Sequence, residues 1–423
     1  MPAIPDPSAL HRKSLLTGRA TRPNHSILTY RTMIRISQQR GRMTEFSRRR
    51  MLGLIGAGLA TPTILRAQDT SVLRVGGMLP LSGPGSIEGH QVLKGLEMAV
   101  AEANAAGGVF GRQLELVMED DEANSTKGVT AVRKLIERDE VPFIIGTYPT
   151  QVVIAAMQVA REYGVPMLSG GSTGAAGTEA NEVGDPWFFR AWPDSNGQGE
   201  DTAQAIVHRF GAKRVAILHD STNYGNTLAD QVTKLVEAEG GEILSRDSFN
   251  VGEADFSPVL IRLRSEKPDA VYIGGWAGDG ANIVRQSAEV GLRTQFVGSG
   301  SMVSDDFIDL AGPASEGFAV ATLYESSTPN RFGYDFGQRF KAANGYEAGT
   351  LNALGFDSTN IAIEAMRRVG RPDSRAIQKM LKDGMADFPI TMGPDGTTAD
   401  FDDTGSVRFP MFIAVIKNGK RVI

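Results

Sequence analysis

The sequence predicts an α/β protein made of two lobes, each an open and mostly parallel sheet with helices on both faces. From residue 73 onward, short apolar runs alternate with amphipathic helical segments, which is the pattern of strand–helix–strand units. The alternation breaks near 188–194 and restarts at 213–220. The restart indicates a second lobe of the same architecture. With 423 residues, the chain is long enough for two domains.

The elements of the first half follow one another in a regular order. The apolar run Leu73–Leu79 predicts a buried parallel strand, and a Gly/Ser/Pro loop follows at 82–86. The next helix is indicated by apolar residues on one helical face, at Val92, Leu96, Ala99 and Ala103. A second helix is predicted around Val129, Val132 and Ile136. Further strands are predicted at 114–118, 143–146, 165–169, 215–219, 270–275 and 296–298.

Composition and charge exclude several classes of function. The chain has no cysteine, so neither disulfides nor thiol catalysis are available. Residues 1–67 carry twelve Lys/Arg and two acids, whereas the remaining 356 residues carry 32 basic and 47 acidic residues. An acidic body repels phosphate groups. We therefore expect no nucleic-acid partner.

The basic N-terminal part predicts an export signal. Residues 47–50 read Ser-Arg-Arg-Arg, a Gly-rich apolar stretch covers 51–60, and a small residue follows at Ala67. This pattern resembles a bacterial twin-arginine signal. We expect 1–67 to be an N-terminal extension and signal that is removed near Ala67, with Met43 as the true start and the periplasm as destination. The alternative is a buried hydrophobic helix behind a basic tail.

Two loops at strand ends have the chemistry of a carboxylate site. In open α/β sheets ligands lie beyond the carboxyl ends of the strands, and helix N-termini there offer backbone N–H groups. The loop 144–150 runs from a strand into a helix, with Thr150 near the cap. The loop 167–174 has small residues that would expose backbone amides. The alternative is that Thr150 and Thr173 only cap their helices.

Enzymatic alternatives fail on residue order. Residues 170–174 read Gly-Gly-Ser-Thr-Gly, which matches the G-x-S-x-G elbow of serine hydrolases. The histidines that follow it are His208 and His219, and the last 204 residues contain none, which contradicts the usual triad order. The histidines lack metal-ligand spacing, and there is no Gly-rich phosphate loop. We expect a binding protein without metal or cofactor.

Short motifs in a fixed order give a more specific identification. Each is weak alone, and they lie at 81–84 (Leu-Ser-Gly-Pro), 95–104, 107–112, 120–121, 145–146, 219–220, 224–225, 255–257, 291–296, 392–394 and 417–420. Together they resemble the periplasmic solute-binding proteins of ABC transporters, of the leucine/isoleucine/valine-binding type. The resemblance covers essentially all of residues 71–423.

This resemblance implies a type I periplasmic binding protein fold, with two doubly wound lobes joined by three crossovers near Ala191, Tyr324 and Pro410. The first lobe would be 71–191 plus 324–409, and the second 192–323 plus 410–423. The implied function is to clamp an amino acid or similar small carboxylate and deliver it, as a monomer, to an ABC transporter permease. A soluble periplasmic ligand sensor of the same fold is the alternative.

The resemblance also implies a set of site residues. The positions that match the family's carboxylate and amine contacts are Thr150, Gly171 and Thr173, and those that match aromatic residues of the cleft are Tyr224 and Trp276.

The sequence departs from the family at Gly300, where branched-chain amino-acid binders have a Glu for the ligand ammonium. Glu88 and Asp279 are the candidate replacements, because a buried ammonium needs an anionic partner. If neither serves, a non-amino carboxylate or amide stacked on Trp276 or Tyr148 is expected.

Overall fold

The computed structural model describes residues 72–423, and its main strands form two sheets that follow one another along the chain. The predicted twin-arginine signal, its cleavage near Ala67 and the start at Met43 lie outside the described residues. The first sheet contains β1 (Leu73–Leu79), β2 (Leu114–Asp120), β3 (Ile144–Gly146), β4 (Met167–Leu168) and β5 (Phe188–Phe189). All its neighbouring pairs are parallel.

The second sheet has seven strands. They are β6 (Arg214–Asp220), β7 (Glu242–Phe249), β8 (Ala270–Gly274), β9 (Gln295–Gly298), β10 (Ala319–Thr322), β13 (Phe412–Lys417) and β14 (Lys420–Val422). The first five pair in parallel, and β13 and β14 extend the sheet antiparallel. A separate antiparallel pair is formed by β11 (Met385–Pro389) and β12 (Thr398–Ala399).

Helices connect most of these strands. They are α1 (Ser86–Ala105), α2 (Ser125–Glu137), α3 (Thr150–Tyr163), α4 (Ala175–Glu179), α5 (Ser195–Gln204), α6 (Asn223–Ala238), α7 (Ser257–Glu266), α8 (Ala277–Val290), α9 (Asp305–Ala311), α10 (Arg331–Asn344), α11 (Thr350–Val369) and α12 (Ser374–Lys382). The predicted face of α1 is confirmed, since Val92, Leu96, Ala99 and Ala103 are all buried. None of the helices in 72–423 has the length and apolarity needed to cross a membrane.

The two sheets share one topology. The first has the order β2-β1-β3-β4-β5, and the parallel part of the second has the equivalent order β7-β6-β8-β9-β10. Both are doubly wound, so the strand order reverses beside the first strand of each sheet. The predicted fold class is confirmed. We call each sheet with the helices packed on it a lobe, the first on β1–β5 and the second on β6–β10.

The late helices return to the first lobe. α1 and α11 pack closely, and this approach requires glycine: a Cβ at Gly95 would lie 2.1 Å from the carbonyl oxygen of Asn352, and one at Gly355 would lie 2.1 Å from that of Val92. The chain therefore leaves the first sheet after β5, returns after β10 and re-enters the second sheet at β13. The crossover positions Ala191, Tyr324 and Pro410 and the lobe boundaries drawn from them stay predictions.

Candidate functional site

A cavity lies between the two lobes at the carboxyl ends of their strands. The space between atoms there is about 540 Å³ when the open mouth is counted. Tyr148 follows β3 and Trp276 follows β8, so the cavity lies at the strand-order reversal of both sheets. This is where open α/β sheets bind ligands.

Six of the eight predicted site residues line this cavity: Glu88, Tyr148, Gly171, Thr173, Tyr224 and Trp276. The remaining lining residues are Gln198, Gly300, Ser301, Ala321, Leu323, Thr350, Leu351, Leu354 and Met411. The wall thus combines hydroxyls, one carboxyl and a carboxamide with a large apolar part. Thr150 and Asp279 do not belong to the lining.

Three hydroxyls that follow β3 and β4 are buried without a hydrogen-bond partner among the described residues, those of Thr150, Ser172 and Thr173, and Thr173 is the one of the three that lines the cavity. Buried hydroxyls normally have a partner, so unsatisfied ones are typical of a site that a ligand completes. The alternative that Thr150 and Thr173 are caps is contradicted. The N-caps of α3 and α4 are Pro149 and Gly174, and neither helix has a side-chain cap.

The loop after β4 differs from the prediction in one respect. The backbone N–H groups of Gly171 and Ser172 donate to the hydroxyl of Ser169, at 3.1 and 2.7 Å. Ser169 thus forms a small local turn with the residues two and three positions after it. This turn uses two amides of the loop 167–174, which was expected to expose its amides to a ligand. The hydroxyl of Thr173 remains the loop's polar group on the cavity wall.

Aromatic rings from both lobes meet at the cavity. Trp276 lies between Tyr148, whose ring centroid is 5.6 Å away, and Tyr224, at 5.7 Å. The hydroxyl of Tyr148 donates to the carbonyl of Gly85. Gly85 has φ +79°, and a Cβ there would lie 2.9 Å from that hydroxyl, so the contact requires glycine. The three rings form a rigid wall that crosses from one lobe to the other.

Glu88 supplies the acid on the described part of the cavity wall. Its side chain is 2% exposed, and one oxygen accepts a hydrogen bond from the backbone N–H of Ala277 at 3.0 Å. Burial raises the pKa of Glu88 to about 7, against the lowering effect of backbone hydrogen bonds. Asp279 and Asp306 add like-charge repulsion in the same direction.

Asp279, the other candidate for an amine contact, lies on the outer side of this wall. It lines a separate concavity together with Gly252 and Asn282. One carboxyl oxygen accepts from the backbone N–H of Gly252 at 2.9 Å, and burial raises its pKa to about 6. The geometry gives Asp279 a structural partner and keeps it out of the cavity.

Gln198 is a lining residue that the sequence analysis missed. It comes from α5, is 3% exposed, and its carboxamide oxygen lies 3.3 Å from where a Cβ on Gly300 would stand. Gln198 thus faces Gly300, the position at which the resemblance implies a Glu in the family. No local pattern in the sequence indicates this, because Gln198 lies in α5, far from Gly300 along the chain.

The apolar side of the cavity was also missed. It is formed by Ala321 and Leu323 at the end of β10, Leu351 and Leu354 on α11, and Met411 before β13. These residues come from the end of β10, from α11 and from the segment before β13, far from the loops after β3, β4 and β8 in sequence. Residues 72–423 contain no cluster of three or more His, Asp or Glu that could hold a metal ion.

Two α/β lobes that enclose a small-molecule cavity at the ends of their strands define a solute-binding protein. The chain belongs to the periplasmic binding protein family, whose model matches residues 72–421. It is 32% identical to the Leu/Ile/Val-binding protein homolog 2 of Brucella abortus (strain 2308), over 74% of this chain and 82% of that protein. It is 28% identical to the leucine-, isoleucine-, valine-, threonine-, and alanine-binding protein of Pseudomonas aeruginosa, over 82% and 92%.

A solved structure agrees with these relatives. The leucine binding protein of Thermotoga maritima MSB8 is 26% identical, with a TM-score of 0.76, and the match covers 83% of this chain and 97% of that one. The predictions of a type I periplasmic binding protein fold and of a solute-binding protein of an ABC transporter are confirmed. Membership in a family of binding proteins also confirms the prediction that the chain is not an enzyme.

Proposed function

We propose that this solute-binding protein captures an amino acid with an aliphatic side chain and delivers it to an ABC transporter permease. The observation that carries the proposal is the arrangement of polar, acidic and apolar groups on the wall of one cavity. Thr173 offers a hydroxyl without a partner, Glu88 offers a buried carboxyl, and the residues from the end of β10, from α11 and before β13 offer an apolar surface. These are the three groups that an α-carboxylate, an α-amine and an aliphatic side chain require.

The carboxylate end is assigned to the loops after β3 and β4. The hydroxyls of Thr150 and Thr173 lack partners, and α3 begins at Thr150 without a side-chain cap. An anion there would be stabilised by the helix N-terminus and by hydroxyl donors. Gly171 supports the same assignment, because its bare Cα leaves that part of the cavity open.

The amine end is assigned to Glu88. One of its oxygens accepts from Ala277, and an ionised carboxyl has further lone pairs that can accept from an ammonium. A cation beside this carboxyl would lower its raised pKa and compensate the burial of both charges. The side chain of the ligand would then contact Leu323, Leu351, Leu354 and Met411.

A carboxylate without an amine is the second candidate ligand. Gly300 and Gln198 lie together in the cavity wall, at the place where the sequence resemblance implies an anionic group in the family, so the wall on that side is neutral. Glu88, with a pKa of about 7, is easily protonated and then needs no cation. An aromatic carboxylate would stack against Trp276 or Tyr148.

The test is a thermal-shift and calorimetric screen of residues 68–423 with L-leucine, L-isoleucine, L-valine, 4-methylpentanoate and benzoate. A ligand that binds the folded state raises the melting temperature by mass action. The proposal expects the largest shift from an amino acid. A larger shift from 4-methylpentanoate or benzoate would favour the second candidate, and no shift from any of them would overturn both.

The transport role has its own test. The protein is proposed to act as a periplasmic monomer, exported by a twin-arginine signal, that docks on an inner-membrane permease. Deleting the gene should abolish high-affinity uptake of the ligand identified in the screen. Uptake that stays intact while a ligand-dependent regulatory response is lost would indicate a soluble sensor instead.

A further inference from the structure

Arg190 is a buried cation without an acidic partner. Its side chain is 1% exposed, and among residues 72–423 its hydrogen bonds go to neutral acceptors and it has no salt bridge to a carboxylate. Burial lowers its pKa to about 10, so the guanidinium remains charged at neutral pH. Because an uncompensated buried charge is costly, this arrangement calls for an explanation.

The nearest acids are committed elsewhere. Asp194 accepts from the backbone N–H groups of Asn196 and Gly197 and caps α5. Asp402 accepts from Thr404 and from the exposed Arg408. Both acids raise the pKa of Arg190 through space without bonding to it. Neither neutralises the guanidinium directly.

The guanidinium instead holds the loop that carries the cavity hydroxyls. Its Nη1 donates to the carbonyl oxygens of Ser172 and Gly174, at 3.1 and 3.5 Å. Its Nη2 donates to the hydroxyls of Thr178 and Ser406. Arg190 therefore holds the residues on either side of Thr173 and does not itself line the cavity.

We propose that Arg190 is a positioning residue that fixes the loop 172–174 and supplies, from behind it, the positive charge that an anionic group in the cavity neutralises. In a poorly hydrated interior a charge acts over several ångströms without direct contact. The anion is held by hydroxyls on the near side of the loop and attracted by the cation on the far side. The attraction rests on the proposed function, which supplies an anionic ligand. The protection of the loop from exchange and the electrostatic potential at the cavity wall can be measured without a ligand.

The first arm tests the hold on the loop in ligand-free protein, by hydrogen exchange. Arg190→Met should speed exchange in peptides covering 169–178 and leave those covering 86–105 unchanged. Arg190→Lys, which keeps the charge but lacks the forked donors, should also speed it. Protection of 169–178 that stays at the wild-type level in Arg190→Met would overturn the positioning role.

The second arm measures the charge, and the absence of native cysteine makes it possible. Thr173→Cys places a single thiol on the cavity wall, and its pKa is read from the pH dependence of alkylation. Adding Arg190→Met should raise that pKa by about one pH unit, and Arg190→Lys should restore most of the difference. Arg408→Met is the matched control, since its guanidinium is 70% exposed and solvent screens it.

If Arg190 had a purely structural role, Arg190→Met would speed hydrogen exchange in the loop but leave the thiol pKa unchanged. That result would overturn the electrostatic half of the proposal. If Arg190→Met fails to fold, hydrogen exchange in Arg190→Lys tests whether Arg190 fixes the loop. The single Thr173→Cys variant then tests the effect of the charge, because the pKa of its thiol should lie below about 8.5. With ligand, Arg190→Met should weaken L-leucine about tenfold more than L-leucinamide. If wild type binds neither compound, the proposed function fails, while both ligand-free arms still decide this inference.

Discussion

Glu88 on α1 and Ala277, the first residue of α8, join the two lobes through a hydrogen bond of 3.0 Å from the backbone N–H of Ala277 to the Glu88 carboxyl. The bond places an acid at a helix N-terminus, where partial positive charge favours an anion. Burial nevertheless raises the pKa of Glu88 to about 7, with Asp279 and Asp306 adding repulsion. The ionisation of this one carboxyl is therefore coupled to the contact between the lobes.

This coupling predicts a pH dependence of stability. Below pH 4.5 Glu88 is protonated in both the folded and the unfolded chain and has no effect. Between pH 4.5 and about 7 the folded state retains a proton that the unfolded chain releases, so stability falls as pH rises through this window. The full loss is about 3 kcal/mol.

Glu88→Gln should therefore flatten the decline in free energy of unfolding between pH 5 and 7.5, measured by denaturant titration. Asp357, whose pKa burial raises to about 7, keeps its own contribution in the variant. The exposed Glu115→Gln serves as control. A variant with the wild-type slope would mean that Glu88 titrates as an ordinary exposed acid.

Ligand should shift the protein toward a closed arrangement. Contacts between the lobes that opening would break are Glu88 with Ala277, and Tyr148 with Trp276 across 5.6 Å between ring centroids. Solution scattering should give a smaller radius of gyration with saturating ligand than without. An unchanged radius with a calorimetrically confirmed ligand would remove the clamp mechanism.

The cavity hydroxyls predict a change in affinity without a change in stability. Thr173→Ala should weaken binding of a carboxylate ligand by about 1–3 kcal/mol, and its free energy of unfolding should stay close to wild type because the hydroxyl has no protein partner. Ser172→Ala is the matched control, since its hydroxyl is also unsatisfied but does not line the cavity. Equal affinities for Thr173→Ala and wild type would refute the carboxylate assignment.

Much of the fold was predictable because buried parallel strands are local apolar runs. Leu73–Leu79 was predicted with its observed bounds, and β8 differs by one residue. The strand β7 was missed because it lies at the sheet edge, where its residues are only partly buried and polar ones interrupt the run. The antiparallel strand β13 was missed because it pairs with β10, about a hundred residues earlier, and β14 joins the sheet only through β13.

The site was predictable where it follows strands directly. Tyr148 and Trp276 come straight after β3 and β8, and both line the cavity. Leu354 and Met411 reach it only because α11 and the last crossing segment return to the cleft, which no local pattern indicates. Asp279 was misplaced as a cavity candidate because it lies in the first turn of α8 and points toward Gly252, a direction set by the packing of that helix.

Export predicts a defined mature end. If the twin-arginine signal is cleaved after Ala67, intact-mass analysis of periplasmic protein should find a chain that begins at or near Gln68. Replacing Arg48 and Arg49 by Lys should keep the precursor in the cytoplasm. Soluble periplasmic protein that retains Arg48 would contradict cleavage at this position.

The amine assignment gives the sharpest test of the ligand class. Glu88→Gln should weaken L-leucine by at least about tenfold, because a buried ammonium loses its anionic partner, and should change the affinity for 4-methylpentanoate far less. Asp279→Asn is the matched control: it removes a buried acid a few residues beyond Ala277, on the outer side of the wall. Calorimetry near pH 8, above the raised pKa of Glu88, ensures that wild type presents a carboxylate. A wild type that prefers 4-methylpentanoate, with neither variant affecting it, would show that the ligand has no amine. A loss of L-leucine binding in Asp279→Asn alone would instead move the amine to the outer side of the Glu88–Trp276 wall.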